Sequence, residues 1–152
     1  MGDKTRDAVC EALLGLKVND LVAIQLELDR GKLVAEIMEH DLGVLRLKYW
    51  EKEWRTVWIL EEIGKERPIT AGIVINNGKI ERINVLTFRE SRGWEIRYPF
   101  FTDQFSDAIL KEDRQLDRKI DGISGATLSV KAMTKMARLA LLLNHEIEVS
   151  GK

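Results

Sequence analysis

The stretch with the densest chemical potential runs Asp121-Gly122-Ile123-Ser124-Gly125-Ala126-Thr127-Leu128-Ser129. Gly122 and Gly125 can take backbone angles closed to other residues and allow a ligand to approach the main chain. Ser124, Thr127 and Ser129 add hydroxyls, each able to cap a helix. The residues that follow have helical periodicity. A helix N-terminus carries unpartnered N–H groups and a partial positive charge, so it seats a phosphate well. On residue types alone the stretch is either such an anion seat or an ordinary loop-to-helix cap.

Other chemistries are poorly served. Cys10 is the only cysteine, which excludes an internal disulfide and a cysteine metal cluster. His40 and His145 lie far apart and in no metal-ligand spacing. A P-loop, a dinucleotide-binding glycine fingerprint, a nucleophile elbow, paired catalytic carboxylates and internal repeats are absent. The chain of 152 residues is 45% hydrophobic and 32% charged, the make-up of a globular protein with a real core. A formal net charge of -1 gives no electrostatic basis for binding nucleic acid or an anionic membrane. No apolar run is long enough to span a bilayer, and the first residues show no basic region leading into an apolar run with a small-residue cleavage site.

The elements that must position the stretch can be read in order. Thr5 to Leu16 has apolar residues at helical spacing (Ala8, Val9, Ala12, Leu13, Leu16), which predicts an amphipathic helix. Val18 to Leu28 alternates through Val22, Ile24, Leu26 and Leu28 and favours a strand. A turn at Asp29 to Lys32 and a short helix through Leu33, Val34, Ile37 and Met38 follow. Val44 to Trp50 and Thr56 to Leu60 predict a hairpin turning at Glu51-Lys52-Glu53. Ile69 to Ile75 and Ile80 to Phe88 predict a second hairpin closed by Asn77-Gly78. Such short links imply a meander with one buried face, within which the Trp50, Trp54 and Trp58 series fits sheet-facing aromatics. Thr102 is a plausible cap for a short helix through Phe105, Ala108, Ile109 and Leu110, and Lys111 to Lys119 reads as a solvated connection. Leu128 to Leu143 is a helix that buries Ser129, Met133, Met136, Ala137, Ala140 and Leu143 and turns Lys131, Lys135 and Arg138 outward. The expected class is α+β: an antiparallel meander sheet packed against a C-terminal helix, with additional N-terminal helix and strand elements.

Asp121 to Thr127, with Ser129 two positions on, closely resembles the flavinylation motif of the FMN-binding domain family. That family includes the covalent-flavin subunits of sodium-pumping NADH:quinone reductase and of the Rnf electron-transport complex. The context agrees in order: Ala71 to Ile75, Asn77-Gly78-Lys79-Ile80, the strand to Phe88, Glu90-Ser91-Arg92-Gly93, then Phe101 to Phe105. The resemblance covers about residues 69 to 143, and two features depart from it: Trp94-Glu95 where small residues are usual, and the missing export signal. It implies residues 66–152 as an FMN-binding core; residues 1–65 fall outside the pattern and read, from their own periodicity, as a helix and sheet extension of the same domain.

By the same resemblance, a flavin transferase that recognises Asp121, Gly122, Ser124, Gly125, Ala126 and Thr127 attaches FMN through a phosphoester to Thr127. Glu90, Ser91, Gly93, Trp94 and residues Ser124 to Ser129 would contact the cofactor, and Lys131 lies close enough along the helix to assist the phosphate. Asp121 would serve the transfer or brace the loop. Trp94, Tyr98, Phe100, Phe101 and Phe105 are candidate walls for the flavin ring, with Arg92 or Arg97 beside it. The implied function is electron transfer between redox partner proteins, which can be membrane-associated, in the periplasm or another extracytoplasmic space. A non-covalent FMN-dependent reductase, a non-redox anion-binding or interaction module, and a cytoplasmic location remain the alternatives.

Overall fold

The computed structural model of the chain describes residues 22–28, 36–39 and 45–151. Five strands follow one another: β1 (Val22–Leu28), β2 (Leu45–Lys52), β3 (Arg55–Ile63), β4 (Pro68–Asn76) and β5 (Lys79–Thr87). Each is antiparallel to the next, in the sheet order β1-β2-β3-β4-β5. The predicted α+β meander is therefore present. The strand expected in Val18 to Leu28 is β1, with Ile24 opposite Tyr49 of β2. The helix expected over Thr5 to Leu16 and the turn at Asp29 to Lys32 lie outside the described residues, as do Leu33 and Val34. Residues 36–38 are helical, with Ile37 and Met38 buried.

The turns follow local stereochemistry. Asn77 at φ 58 and Gly78 at φ 84 place both central residues of the β4–β5 hairpin in the left-handed region, as its tight turn requires. The β2–β3 link falls later than the charge run predicts. The strands extend to Lys52 and resume at Arg55, leaving Glu53 and Trp54 as the connection. Trp54 is thus exposed on the turn, whereas Trp50 and Trp58 are fully buried. Tyr49 pairs with Trp58 and Trp50 with Val57, so the two buried indoles point to opposite faces. Tyr49 stacks on Trp58 with centroids 4.5 Å apart.

One face of the sheet packs against helix α2, Thr127–Gly151, which lies across β3, β4 and β5. Trp58, Leu60, Ala71, Ile73 and Ile83 meet Met133, Met136, Ala137, Ala140 and Leu143 in this core. The expectation of a single buried face fails in the central strands, because Trp50, Val57, Ile59 and Val74 on the other face are buried too. The cause is visible in β4, whose Ile73-Val74-Ile75 puts apolar residues on both sides. Helix α2 also outruns its predicted end at Leu143, since Ile147 continues the buried stripe and nothing breaks the helix before Gly151.

Between β5 and α2 the chain makes a 3-10 turn at Trp94–Arg97, a short helix α1 at Pro99–Thr102 and another 3-10 turn at Asp103–Phe105. Proline in the first turn of α1 starts this segment earlier than a Thr102 cap predicts, and Thr102 makes no capping bond. It also ends before Ala108, whose carbonyl is taken by the Ile80 N–H at 3.0 Å. The expected solvated connection is tethered at several points. Leu110 bridges Leu116, Leu116 is buried, and Arg138 Nε donates to the Arg114 carbonyl at 2.7 Å.

Candidate functional site

Ile123 to Ala126 form a tight turn in which the Ala126 N–H donates to the Ile123 carbonyl at 2.9 Å. Gly125 occupies the third position at φ +83, the conformation a type II turn demands there. Gly122 has no positive φ and open space around it, so only one of the two glycines has the special role their type allows. The Ala126 carbonyl accepts from the Val130 N–H at 3.0 Å, the first bond of α2. Ala126 is therefore the N-cap residue, and its methyl group can accept nothing. Among the described residues no group accepts from the N–H of Thr127, Leu128 or Ser129. Three donors thus remain open at the positive end of the helix dipole. These residues line a cavity of about 480 Å³.

The predicted hydroxyls separate by burial. Ser129 is 4% exposed because two glycine backbones close over it. A Cβ on Gly64 would lie 3.2 Å from Ser129 Oγ, and one on Gly93 would lie 3.4 Å from that oxygen and 3.2 Å from Ala126 Cβ. Ser124 and Thr127 are exposed. Thr127 lines the 480 Å³ cavity, and its hydroxyl makes no hydrogen bond to a described residue. Ser124 lines an adjoining cavity of about 270 Å³ with Gly93 and Trp94.

The facing wall comes from two loops distant in sequence. The exit of β5 supplies Glu90, Ser91 and Arg92, and the β3–β4 turn supplies Lys65 and Glu66. Glu90 Oε1 accepts from the N–H groups of Glu66 at 2.7 Å and Arg67 at 2.6 Å. These two backbone donors hold its carboxyl below the usual glutamate range. Arg89 reaches the same turn, donating to the Pro68 carbonyl at 2.6 Å. Lys65 and Arg92 form no ion pair with any described residue. Lys131, read as an assistant to the phosphate, turns instead to Glu39 at 3.0 Å, which Lys135 shares at 3.1 Å. A cation on α2 one turn past the cap is better neutralised by that carboxylate than left open. The residues missed in the sequence are Lys65 and Gln104. Gln104 accepts from the Asp121 N–H at 2.7 Å and donates to its carbonyl at 3.3 Å, which braces the loop through the backbone. The Asp121 side chain is exposed and makes no such bond to a described residue. A Gly-Lys-Glu-Arg turn carries no local sign that it will meet a helix start sixty residues on, so Lys65 had no readable signal.

The candidate aromatic walls divide. Phe101 and Phe105 are fully buried, packed edge to face at 5.6 Å, and belong to the core, Phe101 carried there by α1 and Phe105 by the 3-10 turn that follows it. Trp94, Tyr98 and Phe100 are exposed, and Trp94 meets Tyr98 at 5.3 Å. Arg92 lines both cavities, and Arg97 lines neither. Among the described residues no acid, histidine and cysteine cluster could hold a metal, and no helix is long and apolar enough to cross a membrane.

The two cavities share Ser91, Arg92 and Gly125, so they form one continuous surface with two characters. One end offers open N–H donors and two cations, which suits a phosphate. The other offers exposed indole and close backbone, which suits a flat apolar ring. A flavin mononucleotide has both parts and fits this donor set. No curated protein matches the chain. The model of the FMN-binding domain family matches residues 64–142, more than half of the chain and the whole of this site, and the chain accordingly belongs to that family, with FMN as its cofactor.

Proposed function

We propose that the protein is an electron carrier whose FMN is joined through its phosphate to Thr127 Oγ. The observation that carries this reading is the exposed Thr127 hydroxyl, bonded to no described residue, at the first position of a helix whose N-cap is an alanine. A helix start ordinarily recruits a side-chain cap worth about 1 kcal/mol, and here an alanine stands in that place. The open donors of Leu128 and Ser129 can then hold phosphate oxygens, with Lys65 and Arg92 balancing the charge. In maturation, Thr127 Oγ takes the FMN phosphoryl group from FAD on a flavin transferase. The bond from that phosphorus to the AMP oxygen breaks, AMP leaves, and the hydroxyl proton passes to solvent. Ala126 and Gly125 keep the hydroxyl sterically open, and the exposed Asp121 carboxylate is available to the transferase. When bound, FMN supplies one- and two-electron transfer, and the protein sets its position and exposure. Trp94 borders the ring end, on an exposed surface that leaves a ring accessible to redox partner proteins. The resemblance to covalent-flavin subunits supports an extracytoplasmic place of work.

The test is co-expression with a competent flavin transferase. The expected product is a polypeptide whose band fluoresces after denaturing electrophoresis and whose mass exceeds that of the bare chain by one FMN less water. Thr127→Ala should lose both signals while keeping its fold, since an exposed unbonded side chain contributes within about 0.5 kcal/mol. An unmodified mass after co-expression would overturn covalent attachment, and a labelled Thr127→Ala protein would move the attachment elsewhere.

A further inference from the structure

Two cations line the cavity beside Thr127, and their surroundings differ. Arg92 lines both cavities, whereas Lys65 lines only the one that holds Thr127, Leu128 and Ser129. Lys65 is also fixed on both sides through its neighbours. Gly64 before it packs directly over Ser129, near enough that a Cβ would meet the hydroxyl at 3.2 Å. Glu66 and Arg67 after it give their N–H groups to the Glu90 carboxylate at 2.7 and 2.6 Å. The Gly64 N–H donates to the Arg67 carbonyl at 3.1 Å and closes the turn. The backbone that carries Lys65 is therefore docked on the first turn of α2 and clamped from the exit of β5. Its ammonium makes no ion pair with a described residue, while the basic side chains farther along α2 do: Lys131 and Lys135 both engage Glu39.

We propose that Lys65 is the phosphate-selecting cation of this site, and that Glu90 is a positioning residue that acts on the cofactor through Lys65. The proposal rests on the phosphate seat proposed above. It assigns Glu90 a role opposite to the one its charge suggests. A carboxylate bordering a phosphate site repels the anion, so a Glu90 acting only as a charge would weaken FMN binding. A Glu90 that holds the turn strengthens it, because preorganising a cation removes the cost of fixing it on binding.

The experiment titrates the full-length chain, made without the transferase, with FMN and with riboflavin, which lacks the phosphate, following flavin fluorescence. The wild-type chain should bind FMN more tightly than riboflavin. Lys65→Gln should lower that preference roughly tenfold, about the worth of one charge-assisted hydrogen bond, and leave riboflavin affinity unchanged. Lys65→Arg should keep most of the preference, and Lys131→Gln all of it. Glu90→Ala should reduce the preference as Lys65→Gln does, and Glu90→Gln, whose amide oxygen can accept the same two N–H groups, should restore it. A Lys65→Gln chain with the wild-type FMN-to-riboflavin ratio would overturn the assignment of Lys65 alone. Tighter FMN binding by Glu90→Ala would overturn its positioning role. A wild-type chain with no preference for FMN would remove the phosphate seat and this proposal with it.

Discussion

Gly122 and Gly125 stand three residues apart in the same loop, yet the backbone asks different things of them. Gly125 sits at φ +83, a conformation that costs an L-residue about 1–2 kcal/mol. Gly122 does not, and a Cβ there meets nothing within 4 Å. Gly125→Ala should therefore lower the urea midpoint by the equivalent of about 1–2 kcal/mol. Gly122→Ala should be neutral or raise stability by up to about 1 kcal/mol through the unfolded state. Equal losses at both positions would mean the turn is not the one described. The same distinction marks what was readable in the residues. The run of small and hydroxyl types announced a backbone-accessible site beside a helix. Which hydroxyl was buried depended on Gly64 and Gly93, whose closeness to Ser129 exists only in the folded chain.

At the scale of elements, strands and helix were legible because each has its own period and the Asn77-Gly78 turn has its own stereochemistry. The pairing of the β3–β4 turn with the β5 exit was not, since Glu90 binds N–H groups more than twenty residues away. That pairing has a consequence in acid. The folded protein holds the Glu90 carboxyl below its ordinary value, chiefly by the hydrogen bonds from Glu66 and Arg67. The unfolded chain titrates near the ordinary value of about 4.3. Stability from this contact is thus fully present above that pH and is lost as the pH falls through the folded value, because the unfolded state binds the proton first. Glu39, held down by Lys131 and then Lys135, contributes with the same sign. Thermal midpoints measured from neutral pH into acid should therefore fall more steeply for wild type than for Glu90→Gln, which has no proton to take up at that position. Parallel curves for the two proteins would show that the carboxylate does not hold the turn in solution.

For the molecule as a whole, the informative fact is where the family match begins. It starts at Gly64, in the turn between β3 and β4, and so leaves three of the five strands before it. Those strands are structurally continuous with the site. Every residue of β3 from Arg55 to Ile63 has a partner in β4, and Trp58 and Leu60 enter the same core as Met133 and Ala137 of α2. Without β3, the long apolar strand β4 becomes a bare edge, with its row of backbone donors and acceptors open to other chains. The core also loses a fully buried tryptophan and leucine, and removing even one side chain of that size to alanine typically costs about 2–5 kcal/mol, a large part of a domain's stability. The Gly64 to Arg67 turn that carries Lys65 would lose one of its two anchoring strands at the same time. A fragment of residues 64–152, which begins where the family match does, should therefore show no cooperative thermal transition, aggregate, and fail to bind FMN, whereas the full chain should unfold cooperatively and gain stability when FMN is added. A ligand at about one hundred times its dissociation constant contributes about 2.7 kcal/mol, enough to be read as a clear rise in the midpoint. Should the fragment instead unfold cooperatively and bind FMN as the full chain does, the first three strands would be an accessory layer, and the core would have to close without Trp58.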